Sequence, residues 1–230
     1  MPDFYRSCDI LEFFEAPVTE GILLATLFEK HDVRYLFRGP SAFDTIDTMF
    51  AEFTDAVRLR NTRARINGEP LYSPDLHISC HGCPEGVGWK DSELVSWSKL
   101  GELLWSFASG IGYVGSPTTN GAFAQETSLI GLSLSCCHGT SASEVLLARE
   151  PYPVCGLLAP DDEIYMDSCA QFFLRLHTRL FADPWNLPAK VAEIQEAFSP
   201  QGPSGSVSFL CFNPPFTPNP AYVPPRAADA

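Results

Sequence analysis

Two segments carry the side chains best suited to covalent chemistry: Leu76-His77-Ile78-Ser79-Cys80-His81-Gly82 and Leu132-Ser133-Leu134-Ser135-Cys136-Cys137-His138-Gly139. Each is an alternating, β-prone run that stops at a glycine just where a reactive side chain stands, the pattern of a strand delivering one group to a sheet edge. One run ends in an imidazole and the other in a thiol. A thiol becomes a strong nucleophile when a base or cation removes its proton. An imidazole on a neighbouring strand does this and also protonates a leaving amine. The expectation is a cysteine hydrolase, a protease, in which Cys137 attacks the scissile carbonyl and His81 serves as general base and acid. Such a dyad needs no cofactor and no metal.

Other chemistries compete for the same residues. Cys80, His81, Cys83, Cys136, Cys137 and His138 supply enough soft ligands for a tetrahedral zinc site. Alternation along an extended chain nevertheless points Cys80 and Cys136 away from their reactive neighbours. A redox reading of Cys80-His81-Gly82-Cys83 requires a helix to follow, and Pro84-Glu85-Gly86-Val87-Gly88 does not open one. His138 adjoins the nucleophile, but adjacent side chains on an extended chain diverge, so its expected task is to shape the loop. His31, His77 and His177 are expected as surface or core residues, and Trp89, Trp97 and Trp105 as packing residues. Asp161 and Asp162 follow a predicted strand at the same sheet edge. They are candidates either for pairing with a basic substrate side chain or for capping the next helix.

The elements that must position these groups alternate. Strands are predicted over 9–14, 33–38, 76–80, 128–135, 152–158 and 206–212. Helices are predicted from Thr19, as N-cap, to 30, with Ile22, Leu23, Leu27 and Phe28 on one face. A second helix opens at Pro40-Ser41 and carries Phe43, Ile46, Met49, Phe50 and Phe53 at helical spacing, until the polar run 58–67 ends it. Further helices are expected over 98–109, 141–149, 162–181 and 187–198. A hairpin over 86–97 projects from the sheet, and the Gly, Ser, Thr and Asn-rich stretch 110–121 reads as a loop, a candidate flap or processing site. The fold class is therefore α/β: a three-layer α/β/α domain with about six central strands, mainly parallel, and ligands at their carboxyl ends. Residues 1–212 form one domain, and the proline-rich tail 213–230 forms no regular element.

Bulk properties narrow the function classes. At 230 residues, 45% hydrophobic and 19% charged, the chain has the composition of one globular domain. With 15 Lys and Arg against 28 Asp and Glu, the net charge of −13 argues against nucleic acid and favours a basic peptide or protein surface as partner. The eight cysteines sit in apolar runs or side by side, which suggests a reduced, cytoplasmic setting rather than a disulfide framework. Neither a signal-like N-terminus nor an apolar run long enough for a membrane span is visible.

A strand ending in His81-Gly82 and a later strand ending in Cys137-His138-Gly139 resemble the caspase-like cysteine proteases, a group that includes metacaspases and bacterial CHAT domains. Cys136-Cys137-His138 is similar to the metacaspase motif whose second cysteine is the nucleophile. Leu157-Leu158-Ala159-Pro160-Asp161-Asp162 with Phe172-Phe173, and Glu93-Leu94-Val95-Ser96-Trp97, resemble flanking segments of CHAT domains. The likeness spans residues 9–212. It implies the His81–Cys137 dyad, an oxyanion hole built from the N–H groups of Gly82 and Cys137, and a substrate pocket near Ser135. Gly82 suits the hole because a missing Cβ lets a substrate backbone approach, and losing one such donor costs on the order of 3 kcal/mol. Ser135 departs from the acid of the metacaspase motif, and the serine that metacaspases carry between His and Gly is absent. The resemblance further implies a regulated effector protease of a bacterial stress or antiviral response, acting on a protein or peptide substrate. Control then comes from a partner, a small-molecule signal or loop cleavage. The rival of a different class is a catalytically inactive adaptor of the same fold.

Overall fold

The computed structural model describes residues 5–15, 19–68, 72–90, 93–111, 130–146, 153–182, 187–213 and 217–218. In chain order the elements are β1 (Tyr5–Glu12), α1 (Glu20–Lys30), β2 (Phe37–Arg38), α2 (Ile46–Ile66), β3 (Tyr72–Ser79), β4 (Gly82–Cys83), β5 (Gly86–Trp89), β6 (Glu93–Ser96) and α3 (Trp97–Ile111). There follow β7 (Gly131–Ser135), α4 (Ser143–Leu146), β8 (Gly156–Pro160), α5 (Met166–Ala182), α6 (Leu187–Ala197), β9 (Gln201–Gly202), β10 (Gly205–Ser206), β11 (Phe209–Asn213) and β12 (Thr217–Pro218). The central sheet has the order β12-β11-β8-β7-β3-β1-β2. From β2 to β8 neighbouring strands are parallel, while β11 runs antiparallel to β8. This is the expected three-layer α/β fold with a mainly parallel sheet.

Strand alternation divides the core in two. Leu11, Leu76, Ile78, Leu132 and Leu134 pack with α2 and α3, whereas Cys8, Ile10, Leu158 and Phe209 pack with α1, α5 and α6. The long helices obey the spacing that such burial demands. On α5, Cys169, Phe172, Phe173 and Leu176 recur at three and four residues and are buried. Phe172 stacks on Phe209 of β11 with ring centroids 3.6 Å apart.

Several boundaries differ from the expected ones, each for a local reason. The polar run 58–67 does not end α2, because Val57, Asn61 and Ala64 continue the buried stripe begun by Ile46, Met49, Phe50 and Phe53. Arg60 in that run reaches across to β1, placing Nη1 2.7 Å and Nη2 2.9 Å from the two carboxylate oxygens of buried Asp9. Asp9 also accepts from Leu36 N–H at 3.0 Å. That backbone donor is thereby withdrawn from strand pairing, and β2 shrinks to two residues. On α1, Thr19 is the N-cap as expected, but the buried face is Glu20, Gly21, Leu24 and Phe28, while Ile22 and Leu23 are exposed. The expected hairpin is a three-stranded antiparallel sheet, β4-β5-β6, outside the main one. In the tail, Thr217–Pro218 pairs with β11, at the outer edge where a proline is tolerated. Residues 112–129, which include most of the expected loop 110–121, lie outside the described residues, as do the first residues of the strand expected over 128–135.

Candidate functional site

The two motif runs become neighbours. β3 and β7 are adjacent and parallel, with Ser79 opposite Ser135, and Cys80 N–H extends the ladder to the Ser135 carbonyl at 3.1 Å. His81 and Cys137 therefore each stand two residues beyond a matched pair at the same sheet edge. Alternation buries Cys80 and Cys136 in the layer of α2 and α3 and leaves Cys137 against the layer of α1 and α5. Cys80 and Cys136 thus face away from Cys137, and none of the eight cysteines forms a disulfide.

Gly82 brings the two runs into contact. A Cβ built on it would lie 2.1 Å from the Cys137 carbonyl oxygen and 3.0 Å from Cys136 Cβ. Here the missing side chain makes room for the other motif's backbone, a different reason from the substrate approach expected for it. After Cys137 the chain turns through His138, a non-glycine residue at φ 52°. His138 N–H donates to the Asp162 carbonyl at 3.2 Å, and its ring nitrogens lie 3.9 Å from Asp162 Oδ1 and 3.7 Å from Glu163 Oε1. Its surroundings are those of a loop-shaping residue.

The Cys137 thiol is half-buried and donates to the Ile164 carbonyl at 3.6 Å. Burial pushes its pKa up, and Cys136 and Glu163 add to the shift. The thiol is accordingly neutral near pH 7, and it can act as a nucleophile only after losing its proton. His81 is exposed, with its ring centroid 5.5 Å from that of Phe14, and its carbonyl accepts from Gly88 N–H of β5 at 2.9 Å. The small antiparallel sheet thus anchors the backbone that presents the imidazole.

His81 and Cys137 line one cavity of about 180 Å³, whose wall includes Phe14, Ile164, Tyr165 and Met166. Exposed His81, Tyr165 and Met166 mark its mouth, while buried Glu20, Ser79, Ser135 and Cys169 mark its inner end. The Ser79 hydroxyl donates to Glu20 Oε2 at 3.0 Å, and the Ser135 hydroxyl donates to the same oxygen. Ser135 Oγ is also 2.9 Å from Cys169 Sγ. Of the residues expected near substrate, Ser135 belongs to this cavity. Asp161 and Asp162 do not line it: Asp161 accepts from Ser208 N–H at 2.9 Å and Asp162 from Glu163 N–H at 2.7 Å. Neither caps α5, which starts four residues after Asp162, at Met166.

A polar layer beneath the cavity was not expected. His77 and His177 are buried core residues with ring centroids 6.2 Å apart. Burial pushes the His177 pKa down to about 3. Glu12, at the end of β1, takes the Thr19 hydroxyl at 2.5 Å, and burial, reinforced by Glu20, pushes its pKa up to about 7. One sequence signal points to part of this layer: Ser79 and Ser135 precede His81 and Cys137 by two, the period that places side chains on one face of a strand. No protein-family model matches the chain, and no curated protein matches it.

Proposed function

We propose that this chain is a cysteine endopeptidase of the caspase-like type, in which His81 takes the proton of Cys137, the Cys137 sulfur attacks the scissile carbonyl carbon, and His81 then protonates the departing amine. One observation carries the reading: two sequence runs more than 50 residues apart end side by side on adjacent parallel strands, and their imidazole and thiol line a single cavity. The acyl-enzyme that results is resolved by water with His81 again as base. The N–H groups of Gly82 and Cys137 are the proposed oxyanion donors, each stabilising the developing negative charge.

A neutral Cys137 donating to the Ile164 carbonyl must give its proton to His81 before it attacks. The family resemblance further implies a regulated effector in a bacterial stress or antiviral response, working in the cytoplasm and switched by a partner or a small ligand. No helix among the described residues is long and apolar enough to cross a membrane.

The test is proteolysis of a denatured-protein mixture with labelling of newly formed N-termini. Wild type generates new termini, and Cys137→Ala and His81→Ala each lower the rate by on the order of 10³-fold or more. Undiminished cleavage by Cys137→Ala overturns the assignment.

A further inference from the structure

A second cavity, of about 400 Å³, opens at the carboxyl ends of β1 and β2. Phe14 lines both this cavity and the one that holds His81 and Cys137, and its ring centroid lies 5.5 Å from that of His81. Its walls are largely apolar: Phe14 beyond the end of β1, Ile22 of α1, Phe37 of β2 and Pro40 in the turn that follows. Ile22 is 40% exposed, a large apolar side chain that the core does not take up. Glu12 also lines the cavity but is buried and occupied by the Thr19 hydroxyl, so the charge an incoming group meets is that of Glu15, exposed at the rim.

Strand order says what approaches this cavity. The thiol stands beyond the end of β7 and the imidazole beyond the end of β3, and the sheet then continues through β1 to β2. The acyl half of a cleaved peptide stays on Cys137, whereas the leaving amine takes its proton from His81. The segment after the scissile bond therefore runs on from the imidazole toward β1 and β2. By alternation Glu12 falls on the face of Cys8 and Ile10, the face against which α1 and Cys137 also lie, so the cavity opens on the same side of the sheet as the thiol. Strands are about 4.8 Å apart, which puts the gap between β1 and β2 about 7 Å from β3, a distance that an extended peptide covers in about two residues.

We propose that this cavity receives an apolar side chain from the leaving half of the substrate, the second residue after the scissile bond, with Ile22 and Phe37 as the specificity-determining residues. The assignment deepens the endopeptidase reading and rests on it. A volume of about 400 Å³ equals that of about thirteen waters at roughly 30 Å³ each, room for an aromatic ring and the backbone beside it. An acidic side chain gains nothing from the apolar walls and meets the Glu15 charge at the rim.

The test starts from a peptide spanning a bond that the wild type cuts in the denatured-protein mixture, made in three forms that differ only in the second residue after that bond: phenylalanine, alanine or aspartate. Mass spectrometry of the two products gives kcat/KM. The phenylalanyl peptide is cut faster than the alanyl one by on the order of 10- to 100-fold, the range for taking one large apolar side chain out of water, and the aspartyl peptide is the slowest. Ile22→Asp brings the phenylalanyl-to-alanyl ratio down to about one, whereas Leu23→Asp, at a neighbouring position equally exposed but outside the cavity, keeps the wild-type ratio. Equal phenylalanyl and alanyl rates at a bond whose cleavage is lost in Cys137→Ala overturn the subsite and leave the dyad in place, as does a ratio that Ile22→Asp leaves unchanged. A wild type that cuts nothing, or cleavage that persists in Cys137→Ala, removes the dyad and the subsite with it.

Discussion

Glu12→Gln isolates the buried carboxyl beside Glu20 and turns its environment into a measurable pH dependence. In the folded chain burial raises the Glu12 pKa from its ordinary 4.5 to about 7, so between these values the folded state holds a proton that the unfolded state has released. Stability from this group is therefore fully present below pH 4.5 and declines as pH rises to 7. Each step of one in pKa is worth about 1.4 kcal/mol, which makes the decline roughly 3 kcal/mol. Glutamine keeps the acceptor for the Thr19 hydroxyl and does not ionise. At pH 4 the variant should match wild type, and by pH 8 it should be more stable by about 3 kcal/mol, or roughly 6 to 12 °C in Tm for a chain of this size. The assay is urea unfolding at half-unit steps from pH 4 to 8 on both proteins. His177, pushed down to about 3 by burial, contributes stability in the opposite direction, rising with pH between 3 and 6.5. It does so equally in both proteins and cancels in the difference. A stability difference that stays constant across the pH range would refute the reasoning, since it would mean that Glu12 titrates alike in the folded and unfolded chains.

Three further outcomes are expected. Alkylation of Cys137 by iodoacetamide should keep rising with pH beyond 9, the ordinary thiol value, because burial pushes this thiol up; a plateau near pH 7 would show a thiolate already paired with an imidazolium in the resting protein. Arg60→Ala leaves the fully buried Asp9 carboxylate without its two-pronged partner, and chemical denaturation should register a loss of about 3 to 5 kcal/mol, whereas an effect below 1 kcal/mol would mean that water replaces the guanidinium freely. Gly82→Ala drives a Cβ to within 2.1 Å of the Cys137 carbonyl, and should cost about 1 to 3 kcal/mol together with the Cys137 reactivity that depends on the two runs touching; unchanged stability would place slack in that contact.

The places of His81 and Cys137 at one sheet edge were legible in the sequence because each is encoded by contiguous residues: an alternating run, a reactive side chain at its end, and a glycine. Alternation also assigned Cys80 and Cys136 to the face opposite Cys137, as their burial with α2 and α3 bears out. Helical periodicity identified α2, α3 and α5, since burial of one stripe leaves a mark every three or four residues. Where a polar side chain overrode the pattern, the reading slipped. Asp9 took the N–H that would have lengthened β2, and Arg60 belonged to a helix whose polar run looked like its end.

The acid at the inner end of the cavity shows where sequence reading stops. Asp161-Asp162 drew attention because the pair follows a strand at the sheet edge, yet Asp161 accepts from Ser208 N–H and Asp162 from the N–H of the next residue, Glu163. Glu20 carries no such signal: it is an acidic residue in the first turn of α1, where the helix dipole favours it. Local sequence determined where β3 and β7 end to within a residue, the order of His81 and Cys137, and the face on which Ser79 and Ser135 stand, because those follow from period and position along one chain segment. Only the tertiary structure decided that α1, packed on β1 and α5, would lower its Glu20 side chain between the two serines. Those serines lie some 60 and 115 residues after Glu20, a distance that no local pattern spans.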